Sequence, residues 1–285
     1  MTSAETLDRR LNIFRNDLAD ESLKGKVEAE RFVSGTEARI TLPVVGLRPR
    51  PDEKSGIDTE LLLGETVRVF DRTDGWAWVQ AESDGYAGYV PEAAMGEVEA
   101  ATHIVTAPRT FLYPIAELRK PPIAALSMGS RLTFVGEEET RGTRYLMTAT
   151  GEGVIAAHCI PVEQRVSEDY VAVALRFLET PYLWGGRSGF GIDCSGLVQL
   201  SMAMTGKSAL RDTDMQVKSL GTEITRDELR RGDLVFWKGH VGIMEDETTL
   251  LHANGHTMNV SRENLDEAIK RIGWLYELPT AYRRP

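Results

Sequence analysis

The sequence predicts an α+β protein: two small β barrels in tandem, then a mixed domain in which helices come first and strands afterwards. Three observations carry this prediction. Short β-rich runs broken by turn signals fill the chain from about residue 34 to 163. A weaker copy of the first β unit follows it, "GSRLTFV" beginning at 129 where "GETVRVF" begins at 64. After Pro161 the apolar spacing turns helical and then returns to strand-like runs. The 285 residues are long for one core and divide into four segments: an N-terminal arm (1–33), a first barrel (34–98), a second barrel (99–163) and the mixed domain (164–285).

The arm reads as a polar helix, with Leu7, Leu11, Ile13 and Phe14 forming a narrow stripe that could dock on a neighbour. In the first barrel, "GETVRVFDRTDGWAWVQAESDGYAGYVP" (64–91) sets the strand formers Val67, Val69, Trp76, Trp78 and Val79 around tight turns at Asp74-Gly75 and Asp84-Gly85. "TRYLMTATGEGVIAAHCI" repeats that strand, glycine turn, strand order in the second. One β sandwich of about 130 residues satisfies the same turn spacing.

In the mixed domain, "SEDYVAVALRFLET" has Ser167 as cap, Val171, Ala174, Leu175 and Leu178 at helical spacing, and Pro181 as stop. "CSGLVQLSMAMTG" from 194 carries Leu197, Leu200 and Met204 on a second helix ending at Gly206. "DLVFWKGHVGIM" and "TLLHANG" read as strands.

A formal charge of −10 argues against nucleic acid as a partner, because counterion displacement needs clustered Lys and Arg. The start, "MTSAETLDRRLNIFRND", lacks the apolar core of a secretory signal, and no run approaches the roughly 18 apolar residues of a membrane span. A cytoplasmic protein is expected, with no membrane partner. Cys159 and Cys194 would then stay thiols, and neither has the spacing of a zinc site.

A lone buried cysteine more often packs as a small hydrophobe than reacts, and Cys159 is read that way. Cys194 differs, because it opens a helix after the glycine-rich "GGRSGFGI". Unpaired amides and the helix dipole there would lower its pKa from about 8.5 and could hold a developing oxyanion. A base is then needed, and His240 stands at the start of a strand. His252, twelve residues on, fits an adjacent antiparallel strand, where its ring could orient the first. His103, His158 and His256 have no motif around them.

"PYLWGGRSGFGIDCSGLVQ", "RRGDLVFWKGHVGIM" and "LLHANG", with "RDTDMQ" between the first two, resemble in order and spacing the signature segments of NlpC-type cysteine peptidases of bacterial cell-wall peptides. The resemblance covers roughly 165–282. It implies a papain-like α+β domain with Cys194 as nucleophile, His240 as base, His252 as third member and Tyr182 near the oxyanion.

Two SH3-like barrels ahead of such a domain are similar to the subgroup that cuts γ-D-glutamyl-diamino acid bonds in peptides with a free N-terminal L-alanine. By that likeness Asp193 and Tyr86 bind the substrate ammonium, with Glu60 or Asp58 as acidic partner. A carboxylate pair and a phenol oxygen would accept all three ammonium protons, so an acylated amine would be rejected. Asp193 can equally cap the nucleophile's helix, Ser195 can satisfy amides at the helix start, and Tyr86 can be a barrel core aromatic. Trp184 is expected to meet substrate, while Trp76, Trp78 and Trp237 suit a core or a cleft wall.

The implied function is hydrolysis of murein peptides in cell-wall recycling, with no metal or organic cofactor. Two other readings share these residues: a non-catalytic module that binds wall peptides or a protein, and an acyltransferase whose thioester is resolved by an amine or alcohol.

Overall fold

The computed structural model describes residues 7–285, which divide after Ala101 into two compact units. The fold is α+β, as expected.

The first unit is built on a five-stranded antiparallel sheet ordered Ala87–Pro91, Trp76–Ala81, Thr66–Thr73, Thr36–Ile40, Met95–Gly96, with a separate hairpin of Val44–Leu47 and Thr59–Leu62. Thr73 pairs with Trp76 across Asp74 (φ 52°) and Gly75 (φ 78°). Two successive left-handed residues match the right-handed twist of the flanking strands, which explains the Asp-Gly pair.

The N-terminal arm departs from its expected helix. Residues 7–33 contain the short strands Leu18–Asp20 and Arg31–Val33 and one 3-10 turn, Glu21–Leu23. Ile13 and Leu18 bury themselves against Phe70, Trp78 and Ala87 of the sheet. The Arg10 carbonyl accepts from Ala87 N at 2.7 Å, and the Leu11 carbonyl accepts from Gln80 Nε2 at 2.9 Å. The barrel edge offers both apolar cover and backbone partners, and these override a weak helical pattern. Residues 1–6 of the expected arm lie outside the described residues.

In the second unit, residues 103–161 form a five-stranded sheet (Ala124–Ser127, Arg109–Tyr113, Gly153–Ile155, Thr143–Met147, Gly136–Thr140) and a three-stranded one (Arg131–Leu132, His103–Val105, Cys159–Pro161). Their ladders join only strands of this segment to one another.

Four α-helices follow: α1 (Tyr170–Leu175), α2 (Cys194–Ala203), α3 (Thr213–Ser219) and α4 (Leu265–Leu275). Asp169, not Ser167, caps α1, accepting from Val171 N, while Ser167 accepts from Asp169 N one step earlier. The last sheet is antiparallel and six-stranded, ordered Thr222–Glu223, Ala281–Arg284, Leu234–Trp237, His240–Met244, Thr249–Asn254, Asn259–Asn264. Its central strands Leu234–Trp237 and His240–Met244 are apolar at nearly every position because α1 and α2 cover one face of the sheet (Val241, Ile243, Leu251, Ala253) and α4 covers the other (Val235, Met244, Leu250).

Candidate active site

The segment before α2 explains its glycines. Gly185 adopts φ 76°, and a Cβ on Gly196 would come within 2.4 Å of the Gly186 carbonyl. The chain therefore folds tightly onto the first turn of α2. Asp193 caps the helix, its Oδ1 accepting from Gly196 N at 2.7 Å, and its Oδ2 accepts from Gly185 N at 2.9 Å.

Cys194 is the first residue of α2 and is 6% exposed. Its sulfur approaches the backbone N–H of Val241, the residue after His240, and that of Ser195. These donors favour thiolate, but burial, followed by the Asp193 charge, pushes the thiol up to about 12. The expected lowering is thus reversed. A helix start that is itself buried next to a carboxylate does not give the exposed, electropositive setting a stable thiolate needs.

His240 and His252 do meet: Nε2 of His240 lies 3.0 Å from Nδ1 of His252. The antiparallel register that pairs Ile243 with Leu251 brings the two strands alongside. Burial, then the neighbouring His252, pushes His240 down to about 3. His252 is fully buried and likewise shifted down, chiefly by burial. The resting site is therefore neutral thiol and neutral imidazole.

Tyr182 is half-buried, and its phenol is pushed up chiefly by burial, with Cys194 and Asp193 near enough to add to the shift, which places it by the nucleophile. A cavity of about 490 Å³ runs between Tyr182, Trp184, Trp237, His240, Asn254 and Arg271. Trp184 is 72% exposed at its mouth, whereas Trp237 is buried. No group of three His, Cys, Asp or Glu among the described residues is set to hold a metal ion.

Sequence reasoning assigned no role to Arg211. Its guanidinium is 1% exposed, with Nη1 2.9 Å from Asp193 Oδ1 and Nη2 2.6 Å from Oδ2. Ser195 Oγ accepts from the same Nη1 at 2.9 Å and donates to Asp193 Oδ1 at 3.3 Å, so it joins this cluster instead of capping amides. Gln216 Nε2 donates to the carbonyls of Ser195 and Leu210. Both residues belong to "RDTDMQ", and the buried carboxylate beside the cysteine was the available signal that a cation must be near.

The second barrel supports the same loop. Gly189 N donates to Ser127 Oγ at 2.9 Å, Arg109 Nη1 donates to the Gly189 carbonyl at 3.1 Å, and Met128 joins the core around α2.

Tyr86, Glu60 and Asp58 belong to the first unit, and the thiol and imidazoles to the second. Tyr86 is 3% exposed beside the Asp84-Gly85 turn, and Glu60 is 7% exposed on Thr59–Leu62 next to the partly buried Asp58.

Residues 47–95 match the bacterial dipeptidyl-peptidase Sh3 domain, and residues 179–273, which hold Cys194, His240 and His252, match the NlpC/P60 family. Residues 179–273 form an NlpC/P60 domain. Over 84% of this chain and 99% of the relative, it is 28% identical to dipeptidyl-peptidase 6 of Lysinibacillus sphaericus. It is 29% identical to the gamma-D-glutamyl-L-lysine dipeptidyl-peptidase of Bacillus subtilis, over 75% of this chain and 77% of that one. An NlpC/P60 family protein from Bacillus cereus shares the fold, with a TM-score of 0.71 at 21% identity over 87% of this chain and 99% of that one.

Proposed function

We propose that this protein is a cysteine peptidase that hydrolyses the γ-D-glutamyl bond to a diamino acid in murein peptides with a free N-terminal L-alanine. The observation that supports this most is the buried thiol of Cys194 beside the Val241 amide, with the His240–His252 pair at 3.0 Å, inside the region that matches the family. The name of one relative, a gamma-D-glutamyl-L-lysine dipeptidyl-peptidase, supports the same bond class.

With thiol and imidazole both neutral at rest, proton transfer accompanies attack. His240 takes the thiol proton as sulfur bonds to the γ-glutamyl carbonyl carbon. The oxyanion forms by the start of α2 and the Tyr182 hydroxyl. Collapse breaks the C–N bond, and the imidazolium of His240 protonates the departing amine. Water, losing its proton to His240, then releases the acyl group and restores the thiol.

Tyr86, with Glu60 or Asp58, and Asp193 are the proposed ammonium-binding groups. A free L-alanine amine exists only in stems already cut from the glycan, which is why we propose recycling over attack on intact wall. The two thiols, Cys159 and Cys194, suit a reducing cytoplasm.

The test is incubation with L-Ala-γ-D-Glu-diaminopimelate and with its N-acetylated form. Release of L-Ala-D-Glu from the free-amine peptide alone is expected. Equal turnover of both would overturn the amine requirement, and turnover of neither would overturn the assigned substrate.

A further inference from the structure

We infer that Glu263 is a positioning residue that sets the tautomers of the His252–His240 pair and so makes His240 competent as a base. This rests on the proposed peptidase reading. Leu250 pairs with Glu263 and His252 with Ser261 across neighbouring strands, so residues 252 and 263 share one face of the sheet.

His252 Nε2 lies 3.3 Å from Glu263 Oε2. The approach is off-line, and this buried nitrogen makes no aligned hydrogen bond to any described residue. Glu263 is therefore the acceptor available to it. The carboxylate is held in turn by Arg271 of α4, whose Nε lies 2.9 Å from Oε1 and whose Nη2 lies 2.5 Å from Oε2. Burial opposes the charge, but the contact with His252 and then the bidentate grip of Arg271 outweigh it and hold Glu263 ionised, well below the usual carboxylate range at about 2.

A neutral imidazole carries one N–H, and an ionised carboxylate only accepts. The proton of His252 must then sit on Nε2, facing Glu263. Its Nδ1 is left with a lone pair, so His240 Nε2 must donate across the 3.0 Å contact. His240 Nδ1 is thereby the unprotonated nitrogen, free to take a proton from sulfur.

Without the carboxylate the opposite relay is equally open. His252 Nδ1–H would donate to His240 Nε2, and His240 would present an N–H where a base is required. One charge two residues removed from the chemistry thus decides which nitrogen can act. The other charged groups facing His252 are Arg271 and His256, and both disfavour its protonation.

The experiment uses the full chain with ¹⁵N-labelled histidine and needs no peptide for its first two readouts. In the parent, imidazole ¹⁵N shifts are expected to show His252 protonated at Nε2 and His240 at Nε2, with both Nδ1 atoms bare. Glu263→Gln is isosteric but can accept or donate, and Glu263→Leu can do neither. Both variants are expected to populate the reversed tautomers. Alkylation of Cys194 by iodoacetamide at pH 7, followed by mass on its own peptide, should slow roughly 10- to 100-fold, the scale of losing a group that orients an imidazole.

With a turned-over substrate, kcat should fall by a similar factor and KM stay within about two-fold. Unchanged tautomers, or an alkylation rate equal to the parent's in Glu263→Gln, would overturn the assignment. If Glu263→Leu does not fold, Glu263→Gln decides alone. Failure of every tested peptide would bear on the proposed substrate and leave the tautomer and alkylation results standing.

Discussion

Arg211 holds both carboxylate oxygens of Asp193, Nη1 at 2.9 Å from Oδ1 and Nη2 at 2.6 Å from Oδ2, with the guanidinium 1% exposed. Asp193 in turn caps α2 and anchors Gly185, so this one ion pair locks the residue before the nucleophile to the loop in front of it.

Removing the cation leaves a buried carboxylate uncompensated. Arg211→Met is expected to lower unfolding stability by about 3–5 kcal/mol, read from urea denaturation. Arg211→Lys should recover only part of this, because an ammonium cannot match both oxygens. Full stability in Arg211→Met would show that the pair contributes nothing net.

The support from the second barrel is testable at Ser127, which is fully buried and accepts from Gly189 N. Ser127→Ala should leave that N–H without its partner and cost about 1–3 kcal/mol. Gly189→Ala is expected to be worse, since its Cβ would lie 2.0 Å from the Pro108 carbonyl oxygen. Both variants should lose activity along with thermal midpoint, and a wild-type midpoint in Gly189→Ala would contradict the close approach.

The two cysteines should behave differently despite similar burial. Burial alone pushes Cys159, the first residue of Cys159–Pro161, up to about 12. Cys194→Ser should abolish peptide turnover, measured by product chromatography, while Cys159→Ser retains it. Loss of turnover in both would remove the distinction.

The histidine pair has a consequence for acid stability. Folded His240 is depressed to about 3 and His252 is shifted down as well, whereas an unfolded histidine titrates near about 6.5. Between those values the unfolded chain binds more protons, so stability is fully present above about pH 6.5 and falls as pH drops below it. Glu263, depressed to about 2, adds a loss as pH falls below about 4.5. Urea midpoints measured from pH 8 to 4 should decline from near pH 6.5, and the decline should flatten in His240→Asn. A midpoint independent of pH down to 5 would refute the neutral buried pair.

Much of this was legible in the chain. Asp74-Gly75 announced its hairpin because only a few residues tolerate two left-handed conformations in a row. The spacing of His240 and His252 announced neighbouring strands, since a strand, turn and strand of that length bring their ends together. The arm was misread because Leu7, Leu11 and Phe14 mimic a helical stripe, while the partners that claim Arg10, Leu11 and Ile13 lie some 70 residues away at Gln80 and Ala87.

By itself the sequence determined where α2 starts and that His240 and His252 lie on neighbouring strands, because turn chemistry and periodicity are local properties. Only the tertiary structure decided the charge state of Cys194, the clamp of Arg211 on Asp193 and the carboxylate of Glu263 behind His252. Burial and electrostatic pairing arise between residues distant along the chain, and their sign depends on which groups the packing leaves without water.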